Sequence, residues 1–251
     1  MTHRFPLIAL LFVLLFTAAC SDVQEASDSY MEYPFDSGED MDMGFTHRAF
    51  ERLEEEGALL SGGSSVIEEQ MMRYQEVNEF KNGMRVQERR TWNDDTYELM
   101  MKGTTNMEED TYEMMKNGEL LFEELMAFGA DGPVHDWRMV DDKPAFTFSR
   151  TANLNEIWYD GSLISEKFSV ENPRYLFSYN GALGFVATHD GMDSIFYDGH
   201  FITPGFTSIW TQNCCSYTEI LPTVYENGTL LFYAKREGVN YLVETRFKEF
   251  K

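Results

Sequence analysis

From Val66 onward, apolar and polar residues alternate in short runs rich in Tyr, Phe, Val, Met and Thr, separated by turn dipeptides. A period of two places one set of side chains on each face of an extended strand, so the pattern predicts a succession of β-strands. Asn-Gly stands at Asn82-Gly83, Asn117-Gly118, Asn180-Gly181 and Asn227-Gly228, and Asp-Gly follows Tyr at Asp160-Gly161 and Asp198-Gly199. Both residues of these dipeptides tolerate positive φ, which a tight hairpin requires. Ahead of the strands, Thr46 begins a different pattern. Phe50, Leu53, Leu59 and Leu60 are apolar, while Glu51, Glu54, Glu55 and Glu56 are polar, until Ser61-Gly62-Gly63-Ser64-Ser65 interrupts. This predicts a short helix and linker over 45–65.

The strands repeat. Asn117-Gly118-Glu119-Leu120-Leu121-Phe122, Asn180-Gly181-Ala182-Leu183-Gly184-Phe185 and Asn227-Gly228-Thr229-Leu230-Leu231-Phe232 each read as a turn, then an apolar strand with Phe at the same offset. Asp141-Asp142-Lys143-Pro144-Ala145-Phe146 is a looser copy, and Asp95-Thr96-Tyr97 is echoed by Asp110-Thr111-Tyr112. Phe146 and Phe185 are 39 residues apart, Phe185 and Phe232 47. Residues at the same offset from the same turn face the same way, so Phe146, Phe185 and Phe232 are expected to point inward from equivalent strands.

A period near 40 with about four strands per unit is the spacing of a β-propeller blade. Over Asp141 to Phe247 the chain resembles propeller proteins of the TolB and WD40-like kind, and bacterial lipoproteins with similar blades. The resemblance implies an all-β, propeller-like β-repeat domain over 66–251. An open antiparallel meander of four-stranded units is the alternative. It transfers no catalytic residue, because the Gly-His and Trp-Asp signatures are missing.

The first residues have another pattern. A short basic start, an apolar run of 12 residues from Phe5 to Phe16, and small residues before Cys20 form a secretory signal peptide over 1–19. The run is shorter than the roughly 20 residues a spanning helix needs. Thr17-Ala18-Ala19-Cys20 resembles the lipobox of bacterial lipoproteins, which implies a lipid on Cys20, although Leu is usual where Thr17 stands. The alternative is plain signal cleavage at the same bond. Ser21, in place of Asp, leaves an outer-membrane destination open beside the cell membrane. Either way the mature chain faces outside the cytoplasm. From Ser21 to Gly44 there are eight acidic residues and no basic one. Segment 20–44 is therefore expected to be a disordered acidic tether reaching roughly 25–30 Å.

Net charge narrows the partners. The chain carries −23, and residues 1–126 hold 27 acidic and 10 basic side chains against 16 and 10 in the rest. Such a surface repels phosphate backbones, which argues against nucleic acid. The partners expected are the membrane, through the lipid, and a protein or glycan of the cell envelope.

Candidate chemistry is sparse. Cys214 and Cys215 are adjacent, and are read either as a vicinal disulfide or as two reduced thiols on opposite faces of a strand. No Cys-x-x-Cys accompanies them, so no metal site is expected. No nucleophile elbow or phosphate-cradling loop occurs, and no catalytic residue or cofactor is assigned. His135, His189 and His200 read as loop or surface histidines. Trp92, Trp137, Trp158 and Trp210, with Tyr159, Tyr175, Tyr179 and Tyr197, read as core, or else as a face that stacks sugars or anchors a protein. Ile209 to Glu219 is the segment most like a special loop. The expected function is a lipid-anchored binding or scaffold protein rather than an enzyme. The alternative is an extracytoplasmic hydrolase using carboxylates of a propeller channel.

Overall fold

The computed structural model describes residues 27–35, 72–75, 77–102, 109–127, 133–151, 154–211 and 222–247. Among these the fold is all-β, built of antiparallel sheets of four to six strands. The sequence pattern runs one repeat domain from 66 to 251. The described chain gathers into two compact units, one within Val66–His189 and one combining β1 (Ser27–Phe35) with the chain from Asp190 onward.

The first unit opens with a six-stranded sheet. It contains β2 (Arg73–Gln75), β3 (Glu79–Lys81), β4 (Met84–Trp92), β5 (Asp95–Met101), β6 (Glu109–Lys116) and β7 (Glu119–Ala127). Strands β4 to β7 form a meander, and β2 and β3 both pair with β4. A four-stranded meander follows: β8 (Val134–Val140), β9 (Lys143–Thr151), β10 (Leu154–Tyr159) and β11 (Ser162–Leu163). A short helix, α1 (Ile164–Phe168), leads into the hairpin of β12 (Glu171–Tyr179) and β13 (Ala182–His189).

The second unit has a hairpin of β14 (Met192–Tyr197) and β15 (His200–Phe201) and a five-stranded sheet. That sheet is ordered β1, β19 (Val239–Phe247), β18 (Thr229–Arg236), β16 (Ser208–Ile209), with β17 (Thr223–Val224) also on β18.

Turn chemistry explains the hairpins. Asn82-Gly83, Asn117-Gly118, Asp160-Gly161, Asn180-Gly181 and Asp198-Gly199 all hold both residues at positive φ, the tight two-residue turn. Asn227-Gly228 differs, since only Gly228 has positive φ (79°). Gly228 N donates to Tyr225 O at 2.9 Å, Tyr225 N to Thr229 O at 2.8 Å, and the Asn227 side chain accepts from Thr229 N at 2.9 Å. This is the wider loop closed by a left-handed glycine.

The repeat is structural. Phe146, Phe185 and Phe232 are each the fourth residue of a strand opened by a turn, and each is fully buried. Phe122 holds the same position in β7 but is half-buried. One aromatic core joins the two larger sheets of the first unit, with Tyr97, Tyr112, Trp137, Phe146, Phe148 and Trp158 at its centre.

The disordered-tether expectation fails over Ser27–Phe35. These residues pair with β19 from Ser27↔Phe247 to Phe35↔Asn240. Composition counts acids but misses two things. Tyr30, Met31, Tyr33 and Phe35 suit a strand, and Glu32 has a cation waiting in Arg236 at 2.5 Å. The rest of 20–44 and the expected helix at 45–65 lie outside the described residues.

Candidate binding site

Cys20, Cys214 and Cys215 lie outside the described residues, so neither the lipid nor the disulfide is placed. Of the candidate loop, Ile209 donates its N–H to Asp193 Oδ2 at 2.9 Å, and Trp210 packs on Tyr233 with ring centroids 5.6 Å apart. His189 and His200 are exposed, as expected. His135 is not a surface residue: it is half-buried in β8, beside Thr147 of β9, with its Nδ1 buried and unpartnered. Trp137, Trp158 and Tyr197 are core.

The site is built where a helix replaces a strand. After the Asp160-Gly161 turn, β11 runs for only two residues before α1 begins. The buried carboxylate of Glu156 in β10 fixes this turn of chain. It accepts hydrogen bonds from the backbone N–H of Ile157 (2.9 Å) and of Ser165 (3.1 Å), and from the Ser165 hydroxyl. Ile164 is buried beneath the helix, and Ser169, at φ 54°, ends it in a left-handed cap.

Glu166 and Lys167 are thereby held beside Phe122, Trp158, Gly161, Ser162 and Leu163 around an open concavity of about 440 Å³. Trp158 is rigid there, stacked on Phe146 at 5.2 Å and an interplanar angle of 16°, with Phe122 at 5.9 Å. Lys167 Nζ lies 5.8 Å from the Tyr159 ring and 5.5 Å from the Phe168 ring. An apolar floor with one carboxylate, one ammonium and one hydroxyl at its rim is the composition of a binding cleft. It offers contact area and orientation.

A larger concavity of about 550 Å³ lies on the outer face of the six-stranded sheet, lined by Gln75, Lys81, Arg89, Thr96, Glu98, Asn117 and Gly118. Its charges are matched internally. Glu98, only 5% exposed, accepts from Lys81 Nζ at 2.6 and 2.8 Å and from Arg89 Nε at 2.8 Å. Arg89 Nη2 also reaches Glu79 at 2.8 Å. Burial alone would raise the Glu98 pKa, but the hydrogen bonds from Lys81 and Arg89 outweigh it and hold it below the ordinary glutamate value. Asn117 bonds Thr96 N and Asp95. This surface is a self-satisfied ion network that stiffens the sheet.

A third polar cluster joins β8 to β12. Arg138 is buried, donates Nε–H to Leu176 O at 2.6 Å, and has Nη2 3.8 Å from Asp136 Oδ1. Burial lowers the Arg138 pKa, opposed by the charges of Asp136 and Tyr175, and burial raises that of Tyr175. Asp136 (φ 51°), Asn172 (46°) and Tyr175 (55°) are all left-handed, at places where the register of the strands shifts. A bulky residue such as Tyr175 in this region is strained. Beside these residues the Arg138 guanidinium bridges β8 to β12 through Leu176 O.

Among the described residues no group of three or more His, Cys, Asp or Glu is placed to hold a metal ion, and no helix is long and apolar enough to cross a membrane. No protein-family model, curated protein or solved structure matches the chain. Of this site the sequence singled out Trp158 among the candidate aromatics and Phe122 only as a repeat position, and it missed Glu166 and Lys167. The available signal was the apolar spacing Leu163, Ile164, Phe168, which is helical and breaks the strand alternation around it.

Proposed function

We propose that this chain is an exported, lipid-anchored binding protein of the cell envelope, with a β-propeller-like scaffold. The observation that supports binding is the concavity at α1, where Phe122 and Trp158 form a rigid apolar floor and Ser162, Glu166 and Lys167 stand at the rim. Loops and insertions on a rigid sheet scaffold are where recognition concentrates. The anchor reading rests on Cys20 following Thr17-Ala18-Ala19 and a 12-residue apolar run. Likeness to lipoproteins with propeller repeats rests on the recurring turn-strand-Phe unit.

Two measurements test the reading. Alkynyl fatty acid fed to cells is expected to label the full-length protein, and Cys20→Ala is expected to remove the label. A photo-crosslinking amino acid at Ser162 is expected to trap an envelope component, and the trapping should weaken in Glu166→Lys. Adducts at Ser162 identical to those from exposed Glu237 would reject the cleft as the binding site.

A further inference from the structure

We infer that the α1 cleft takes a small zwitterion, an α-amino acid with an aromatic or branched apolar side chain. Its ammonium is set against Glu166, its carboxylate against Lys167, and its side chain on the floor of Phe122 and Leu163. This deepens the cleft reading above and rests on it. Charge decides the class of ligand. Glu166 and Lys167 are both exposed and line the same concavity, yet neither forms an ion pair among the described residues. Lys167 lies instead against the rings of Tyr159 and Phe168, at 5.8 and 5.5 Å. The other charges nearby are already matched. Asp160, at the Gly161 turn, accepts from Lys143 Nζ at 2.8 Å. Glu156 is buried and taken up by Ile157 and Ser165. Glu124, two residues from Phe122, lies 3.9 Å from Arg150. One carboxylate and one ammonium are thus left uncommitted at a single rim, and their complement is a cation and an anion carried on one small molecule.

The floor narrows the class further. Phe122 and Leu163 are half-buried, whereas Trp158 is only 5% exposed and stacked on Phe146. Stacking a sugar needs an open ring face, which Trp158 does not offer. A neutral glycan would also displace water from both charges without replacing its hydrogen bonds. A compact apolar side chain asks only for contact area, which Phe122 and Leu163 supply. The half-buried hydroxyl of Ser162 adds a donor for the carboxylate. A volume of about 440 Å³ lies within the range of small-molecule sites.

The test titrates full-length protein in detergent with phenylalanine and with leucine, read by calorimetry. Both are expected to bind, and glycine, which has the charges without the side chain, is expected to bind more weakly than either. N-acetylphenylalanine lacks the ammonium and phenylalaninamide lacks the carboxylate. Each is expected to bind about two- to fivefold more weakly than phenylalanine, the range of an exposed ion pair. Glu166→Gln is expected to remove the first of these differences and keep the second, and Lys167→Met the reverse. Both side chains are exposed, so thermal melts of the two variants should match the parent. Equal affinities for phenylalanine and its two derivatives, or differences that neither variant changes, would overturn the zwitterion assignment. If neither phenylalanine nor leucine binds while the Ser162 cross-link still forms, the ligand class falls and the cleft reading stands. Loss of the cross-link as well removes both.

Discussion

Glu32 in β1 and Arg236 in β18 are 204 residues apart in the chain and joined at 2.5 Å, within one sheet. Arg236 also lies 5.3 Å from the rings of both Phe206 and Tyr241, so the cation is held in place before it meets the carboxylate. The pair is what recruits an acidic N-terminal strand into a sheet made of C-terminal ones.

Removing the carboxylate should loosen β1. Glu32→Gln is expected to cost about 1.5–3 kcal/mol, the range for a hydrogen bond to a charged group. A double-mutant cycle with Arg236→Met, read by chemical denaturation, isolates the pair. Additive losses would mean that β1 is held by backbone pairing alone.

The repeat predicts equal costs at equivalent places. Phe146→Ala, Phe185→Ala and Phe232→Ala should each lose about 3–5 kcal/mol, as expected for a buried Phe. Phe122→Ala should lose less, because that ring is half-buried. Equal losses at all four sites would contradict the burial difference.

Gly184 resists substitution for a local reason. A methyl group there would sit 2.0–2.5 Å from ring atoms of Phe177, its cross-strand partner in β12. Gly184→Ala is expected to cost about 1–3 kcal/mol, as for an overpacked core. Phe177→Leu should make Gly184→Ala cheaper when both are present. Thermal melts of the four proteins decide it.

The Glu98 network sets an acid limit. Its folded pKa lies below the unfolded one, so it stabilises the fold fully above the unfolded value and loses that contribution as pH falls through the folded one. Stability should therefore begin to drop below about pH 4.3. Glu98→Gln should flatten part of that slope in urea titrations run at successive pH values. An unchanged slope would show that Lys81 and Arg89 do not depress its titration.

Arg138 should be sensitive to both charge and shape. Arg138→Ala leaves Leu176 O and Asp136 without their guanidinium, and breaking a buried charge pair costs about 3–5 kcal/mol. Arg138→Lys should recover little, because one ammonium cannot copy the planar fork. Full recovery by Lys would reduce the site to simple charge.

The strands, their turns and the shared burial of the repeat phenylalanines were legible because each depends on local chemistry: alternation, Asn-Gly and a fixed offset. β1 was not. Its residues are acidic on average, and what orders them is Arg236, which no neighbouring residue announces. The α1 site was half legible. Trp158 stands out as an aromatic and Phe122 only as a repeat position, but Glu166 and Lys167 matter only because buried Glu156 fixes the chain beside them. The left-handed Tyr175 was invisible because it sits where the register of β12 against β13 shifts, which alternation does not reveal.

The pairing of β1 with β19 also fixes an order of events in folding. Most of the sheet forms between neighbours joined by two- or three-residue turns, contacts that close quickly. β1 precedes the other described strands but meets its partner only after Phe247 exists, the widest sequence separation among the described strand pairs. Among the described strands it therefore comes first in the chain and is the last expected to dock. Until then β19 keeps an open edge.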